Sequence, residues 1–185
     1  MNTKDEILQY GLQLMETRGY SGFSYSDLSQ KLGIAKASVH HHFPKKLDLG
    51  LEVIKRTEAY LDERLKYVNA LDGVDAWQRL NAFFNPGCEK ACDGNVCVVS
   101  SLLADFLELP EELQRAIKGV CEKERTSVAS ILEKGREAGE LAFRGDAAEQ
   151  AAFIIEAVKG GLFYSRVWGE EAVASNIEMI RRTLM

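Results

Sequence analysis

The chain has 185 residues, 46% of them hydrophobic, which is enough for one medium domain with a buried core or for a small module joined to a larger one. No stretch approaches the roughly 18 to 20 apolar residues of a membrane span, and the N-terminus is charged from Lys4 onward without an apolar secretory core, so a soluble, cytoplasmic protein is expected. The net charge of -5 argues against a uniformly basic protein that coats nucleic acid, but the charge is segregated: residues 1–50 hold six Lys or Arg against five Asp or Glu, and the rest hold seventeen against twenty-three.

Only three prolines occur, Pro44, Pro86 and Pro110, and alternating strand-like runs are scarce, so the chain is predicted to be all-α. Ile7, Leu8, Leu12, Leu14 and Met15 form an apolar stripe closed by Gly19, which predicts a first helix over 4–18. Ser24 and Asp27 have the spacing of a capping box, and Gly33 can end a short second helix over 25–32 in a left-handed conformation. A short turn then leads into "KASVHHHF", and two short helices joined through a glycine are the sequence form of a helix-turn-helix.

From Lys46 to about residue 70, Leu47, Leu51, Ile54, Leu61, Leu65 and Val68 recur at helical spacing, long enough to leave a small N-terminal bundle and enter a second one. Further helices are predicted over 74–85, 97–107, 110–137, 147–166 and 170–184, with Pro110 suited to a first turn and Asp146 with Glu149 resembling a capping box.

All three histidines of the chain are consecutive, His40, His41 and His42. A shared metal ion fits them poorly, because successive helical residues point about 100° apart, whereas helical ligands to one ion sit at i and i+4. The plain alternative is that Val39 or His42 packs inward and the other histidines are solvated.

The stretch "FSYSDLSQKLGIAKASVHHHFPKKLDLGLEVI", Phe23 to Ile54, resembles the DNA-binding region of the TetR family of bacterial repressors. The resemblance implies an N-terminal three-helix DNA-binding domain over 1–50 and a C-terminal helical ligand-binding and dimerisation domain over 51–185. It also implies that the third helix enters the major groove, the second braces it, and each subunit of a homodimer reads one half of a palindromic double-stranded operator. Lys36, Ala37 and Ser38 then lie where side chains reach base edges, and His40 and His41 match positions used for phosphate or base contact, commonly as Tyr. Lys46 matches a phosphate-binding lysine, and Ser24, Tyr25 and Lys45 complete the implied DNA-binding set. Ala35 stands where many relatives carry a Ser or Thr cap, which costs about 1 kcal/mol of capping. Imidazolium binds phosphate better than imidazole, so operator affinity is expected to rise as the pH falls.

Domains of this family bury a small-molecule effector among helices and pair through their last two long helices. Here Phe153, Ile154, Gly160, Gly161 and Trp168 are expected at the subunit contact, with Ala151 and Ala152 also small enough for close approach; the alternative is that they close the monomer's own core. Phe83, Phe84, Leu102, Phe106, Phe153, Phe163 and Tyr164, with Glu156 or Arg166 as a polar anchor, are expected around an effector pocket, the alternative for each being a place in the ordinary core.

Cys88, Cys92 and Cys97 lie within ten residues, and with Cys121 they are expected as reduced thiols. Three readings stay open for the cluster: metal binding with Asp93 or Glu89, a redox or electrophile sensor, and small apolar filler. The segment is similar to the Gly-Cys helix of a TetR-type subgroup, some of whose members respond to electrophiles or aromatic compounds. No cofactor is expected. Catalysis is disfavoured, because Cys97 and Ser100 have no identifiable histidine base and no glycine-rich phosphate loop appears. A repressor is the preferred reading; an activator would use the same DNA contacts.

Overall fold

In the computed structural model, residues 2–91, 96–169 and 171–185 are described, with the backbone alone over 87–91. The first helix, α1 (Thr3–Arg18), begins where the Asn2 side chain accepts from the Asp5 amide at 3.0 Å. Helix α2 (Tyr25–Leu32) begins in a complete capping box, and Gly33 closes it at φ +64°, a conformation that a Cβ would strain. Helix α3 (Lys36–His42) starts at Ala35 with no side-chain cap, as the sequence implied.

The remaining helices are α4 (Lys46–Asn69), α5 (Ala76–Ala91), α6 (Val98–Ala104), α7 (Glu111–Glu137), α8 (Ala147–Trp168) and α9 (Glu171–Leu184). The described residues are thus all-helical. The sixth helix is shorter than the predicted 97–107: Leu109 must be extended ahead of Pro110, so the chain passes through a single 3-10 turn, Phe106–Glu108.

The fifth helix is longer than predicted, running through Pro86 instead of stopping at 85. Proline has no amide hydrogen, so the Ala82 carbonyl four residues back loses its helical donor. The Arg64 guanidinium, from α4, donates to that carbonyl and also to the Phe83 carbonyl at 3.5 Å. A charged donor from outside the helix therefore takes the place of the amide that proline lacks. Replacing Arg64 by Met should lower the unfolding free energy by about 1.5–3 kcal/mol, the scale of removing a charge-assisted hydrogen bond from a sheltered carbonyl. Urea denaturation followed by circular dichroism would show it as a reduced midpoint; an unchanged midpoint would mean that the bond contributes nothing.

The chain divides into two compact units, one of residues 1–59 and 97–120, the other of 60–96 and 121–185. The first has Ile7, Met15, Leu28, Val39, Leu49 and Leu102 in its core. Within it α6 is tied to α1, because the Ser101 hydroxyl donates to the Met15 carbonyl at 2.7 Å. The second unit is built on Trp77, Leu80, Leu132, Ile154, Val158 and Leu184, and a sheltered ion pair joins Lys159 to Glu124 at 2.5 Å. No described helix is long and apolar enough to cross a membrane.

Candidate nucleic-acid interface

Helix α3 is two-sided. Val39 is fully buried, whereas Lys36, Ala37, His40 and His41 are exposed and Ser38 and His42 are partly so. Successive residues differ by about 100° around a helix, so one buried anchor sets which side chains face outward. His40 is the most constrained of them. Its ring lies edge-on to Tyr25, with centroids 4.8 Å apart, and its Nδ1 is 3.3 Å from the Pro44 carbonyl. A carbonyl can only accept, so Nδ1 carries the hydrogen and Nε2 is the nitrogen left for a partner.

The expected DNA-contacting residues are not all placed alike. Tyr25 is only 6% exposed, and its hydroxyl finds no hydrogen-bond partner among the described residues. It therefore acts as a buried brace beneath His40, and burial, then the Asp48 and Tyr20 charges, push its ionisation well above the usual tyrosine range. Ser24 is exposed, but its hydroxyl is engaged in the cap, donating to Asp27 Oδ2 at 2.7 Å and accepting from the Ser26 amide at 3.2 Å. These Ser24 bonds hold the Asp27 carboxyl below its ordinary range, with Arg18 adding a smaller effect. Their stabilisation is present above the unfolded-state value and is lost as the pH falls through the lowered folded value, so the cap is intact at neutral pH.

Lys45 is exposed, and its amide donates to Asp48 Oδ2 at 2.7 Å to start α4. Lys46 is half-buried. Its ammonium donates to the Phe23 carbonyl and lies 4.0 Å from the Phe23 ring centroid and 5.0 Å from that of Tyr20.

In the other half, the expected pocket residues are distributed over both units. Phe83 is buried in the core of the second unit, while Leu102 and Phe106 belong to the first. Glu156 and Phe163 are exposed on α8. A narrow apolar recess in the second unit is lined by Trp77, Leu80, Asn81, Ile154 and Ile180 together with Phe84, one of the expected rings. Two residues expected at the subunit contact belong to the monomer's packing. Ile154 has no exposed surface, and Gly161 is buried where a Cβ would meet Asn176 Nδ2 at 2.7 Å, at the joint of α8 and α9. Phe153 and Trp168 remain 52% and 65% exposed, and the Cβ position of Gly160 meets open space.

Cys97 caps α6, its Sγ accepting from the Ser100 amide at 3.4 Å and lying 3.1 Å from the Ser100 hydroxyl. Cys92 lies outside the described residues, with Asp93, and so do the side chains of Cys88 and Glu89. Among the described residues no group of three His, Cys, Asp or Glu side chains could hold a metal ion.

Residues 7–53 match the family described as bacterial regulatory proteins, tetR family, and residues 76–179 match the tetracyclin repressor-like C-terminal domain. The chain belongs to the TetR family. It is a helix-turn-helix, DNA-binding transcriptional regulator and not an enzyme. Over 156 residues it is 26% identical to the HTH-type transcriptional repressor NemR of Escherichia coli (strain K12), a span of 83% of this chain and 78% of that protein. A TetR transcriptional regulator from Legionella pneumophila superposes with a TM-score of 0.89 at 26% identity, covering 100% of this chain and 98% of that one. The reduced form of E. coli NemR superposes with a TM-score of 0.87 at 22% identity, with the same coverage, which shows a shared fold.

Against the TetR pattern, sequence reasoning missed two features of this unit: the bond from His40 to the Pro44 carbonyl and the inward course of Lys46. A signal for the second existed in the sequence, because Tyr20 and Phe23 put two aromatic rings in the turn before α2.

Proposed function

We propose that the chain is a homodimeric transcriptional repressor that acts in the cytoplasm, binds a palindromic operator through α3 and its flanks, and is released by a small-molecule or thiol-reactive effector. Residues 1–50 would read DNA, and residues 51–185 would sense the effector and pair the subunits. The observation that carries this reading is the two-sided α3, whose buried Val39 turns Lys36, Ala37, His40 and His41 outward together. Pairing is supported by the exposed apolar residues of α8, and the repressor role by the likeness to NemR.

A thiol-reactive effector is favoured by the position of Cys97. It is partly exposed, it caps α6, and α6 is bonded to α1 of the DNA-reading unit. Modifying its sulfur would remove the cap of a helix that touches the reading unit, shifting the balance between binding and non-binding states.

Selection from a random pool of duplexes should return a palindromic site. Fluorescence anisotropy on that site should show binding abolished by brief exposure to a thiol oxidant, regained with reductant, and retained throughout by Cys97→Ser, which keeps a cap acceptor for the Ser100 amide but has no thiol. Oxidant sensitivity that persists in the variant would move the effector away from Cys97, and a pool that yields no palindrome would overturn the operator reading.

A further inference from the structure

Lys46 and Lys45 adjoin in sequence at the start of α4 but are placed in opposite ways. The lysine ammonium has three hydrogens to donate. In Lys46 it is directed into the turn between α1 and α2, donating to the Phe23 carbonyl, one residue before the cap of α2. The faces of two rings from the same turn complete its surroundings, Phe23 at 4.0 Å and Tyr20 at 5.0 Å, both within the range of cation–π attraction. Phe23 is itself buried. One helical turn further along α4, a Cβ on Gly50 would lie 3.2 Å from Tyr20 Cε2, so the same ring also rests against the α4 backbone. Lys46 and Gly50 are four residues apart and share a face, which makes this a two-point attachment of the turn to α4.

We infer that Lys46 is a positioning residue of the DNA-reading unit, an internal clamp between α4 and the α1–α2 turn, and that the neighbouring Lys45 supplies the phosphate charge at this corner. The inference rests on the operator-binding reading and assigns Lys46 a role other than the phosphate contact that the family resemblance implies. To reach a phosphate, Lys46 would have to give up a carbonyl and two ring faces at once. Burial already holds its ammonium below the ordinary lysine range, with the Asp27 charge opposing the shift, whereas Lys45 is exposed and needs no rearrangement. The clamp fixes the entry to α2 relative to the start of α4, and α3 lies between these two points in the chain.

The test compares wild type, Lys45→Ala, Lys46→Met and Lys46→Arg on a duplex selected by the wild-type chain from a random pool, and on a scrambled duplex of the same composition, over a salt series. Lys45→Ala should reduce the slope of log affinity against log salt by about 0.9 for each phosphate that is no longer neutralised, on both duplexes. Lys46→Met should keep the wild-type slope and lower the ratio of selected to scrambled affinity by about tenfold, the scale of a single mismatched base pair. Lys46→Arg keeps the charge but carries a planar fork unsuited to the site, and should reduce the ratio equally. A slope reduced by Lys46→Met as it is by Lys45→Ala, or a wild-type ratio in Lys46→Arg, would overturn the inference while leaving operator binding intact. A Lys46→Met chain that fails to fold would bind neither duplex, and Lys46→Arg then decides. A wild-type chain that selects no sequence would overturn the operator reading and this inference together.

Discussion

Replacing Trp168 by Glu should convert the protein to a monomer in solution and lower its affinity for a palindromic duplex by about 10²–10⁴-fold, the gain that linking two half-site contacts provides. Trp168 is 65% exposed and stacks on Tyr164, one turn earlier, with ring centroids 4.5 Å apart and planes 19° from parallel. Phe153, Phe163 and Val167 are also exposed on α8, a concentration of large apolar side chains with no cover from the chain's own core. Aromatic anchors of this kind carry much of the energy of a protein interface, and a carboxylate placed among them would be desolvated without a partner. Because Trp168 is outside the core, the substitution leaves the fold in place and separates pairing from stability. Sedimentation gives the mass and anisotropy the affinity; a dimer mass retained by Trp168→Glu would place the subunit contact elsewhere.

Operator affinity should rise by about tenfold as the pH falls from about 7.5 to about 6, and His40→Tyr should flatten much of that rise. The Pro44 carbonyl accepts from His40 Nδ1 and so fixes where the neutral ring carries its hydrogen. The other nitrogen, Nε2, then offers a lone pair, which repels a phosphate oxygen. Protonation turns the same nitrogen into a charged donor. The DNA-bound state therefore holds more protons than the free state, and affinity falls as the pH rises. His41 and His42 are present in both proteins, so the difference between wild type and His40→Tyr isolates the contribution of His40. A tyrosine hydroxyl donates at every pH in this range. Parallel pH profiles for the two proteins would remove the idea.

How far the sequence could be read depended on how local each cause is. The caps of α2 and the left-handed turn at Gly33 involve residues within a few positions of one another, and they were legible. The extent of α5 was not, because the donor that rescues the Ala82 carbonyl is Arg64, 18 residues away in sequence. Helix α8 posed a different difficulty. It is apolar on more than one face, so its pattern does not say that Ile154 and Gly161 turn into the chain's own core while Phe153 and Trp168 turn out. Of the α3 residues expected at DNA, Lys36, Ala37, His40 and His41 are exposed and Ser38 partly so, whereas Tyr25 and Lys46 are turned inward by ring contacts that spacing alone does not reveal. Glu156 and Phe163 were expected at a pocket because they are a polar group and a ring near other rings, yet their exposure depends on the direction of a helix face.

Helix α6 has seven residues, fewer than two turns, and begins at a sulfur where a serine, threonine or aspartate would hold the first amides better. A helix of that length has little cohesion of its own, and its attachment to α1 through Ser101 contributes to its order. The consequence is leverage. A disturbance on the scale of one hydrogen bond, about 1 kcal/mol, is comparable with the margin that keeps such a segment wound, so unwinding its first turn is within reach of a single chemical event. The Met15 carbonyl that receives the Ser101 hydroxyl also accepts from the Gly19 amide at the end of α1, at 3.1 Å, so the far end of this lever is the entrance to the turn that holds Tyr20, Phe23 and Lys46 together.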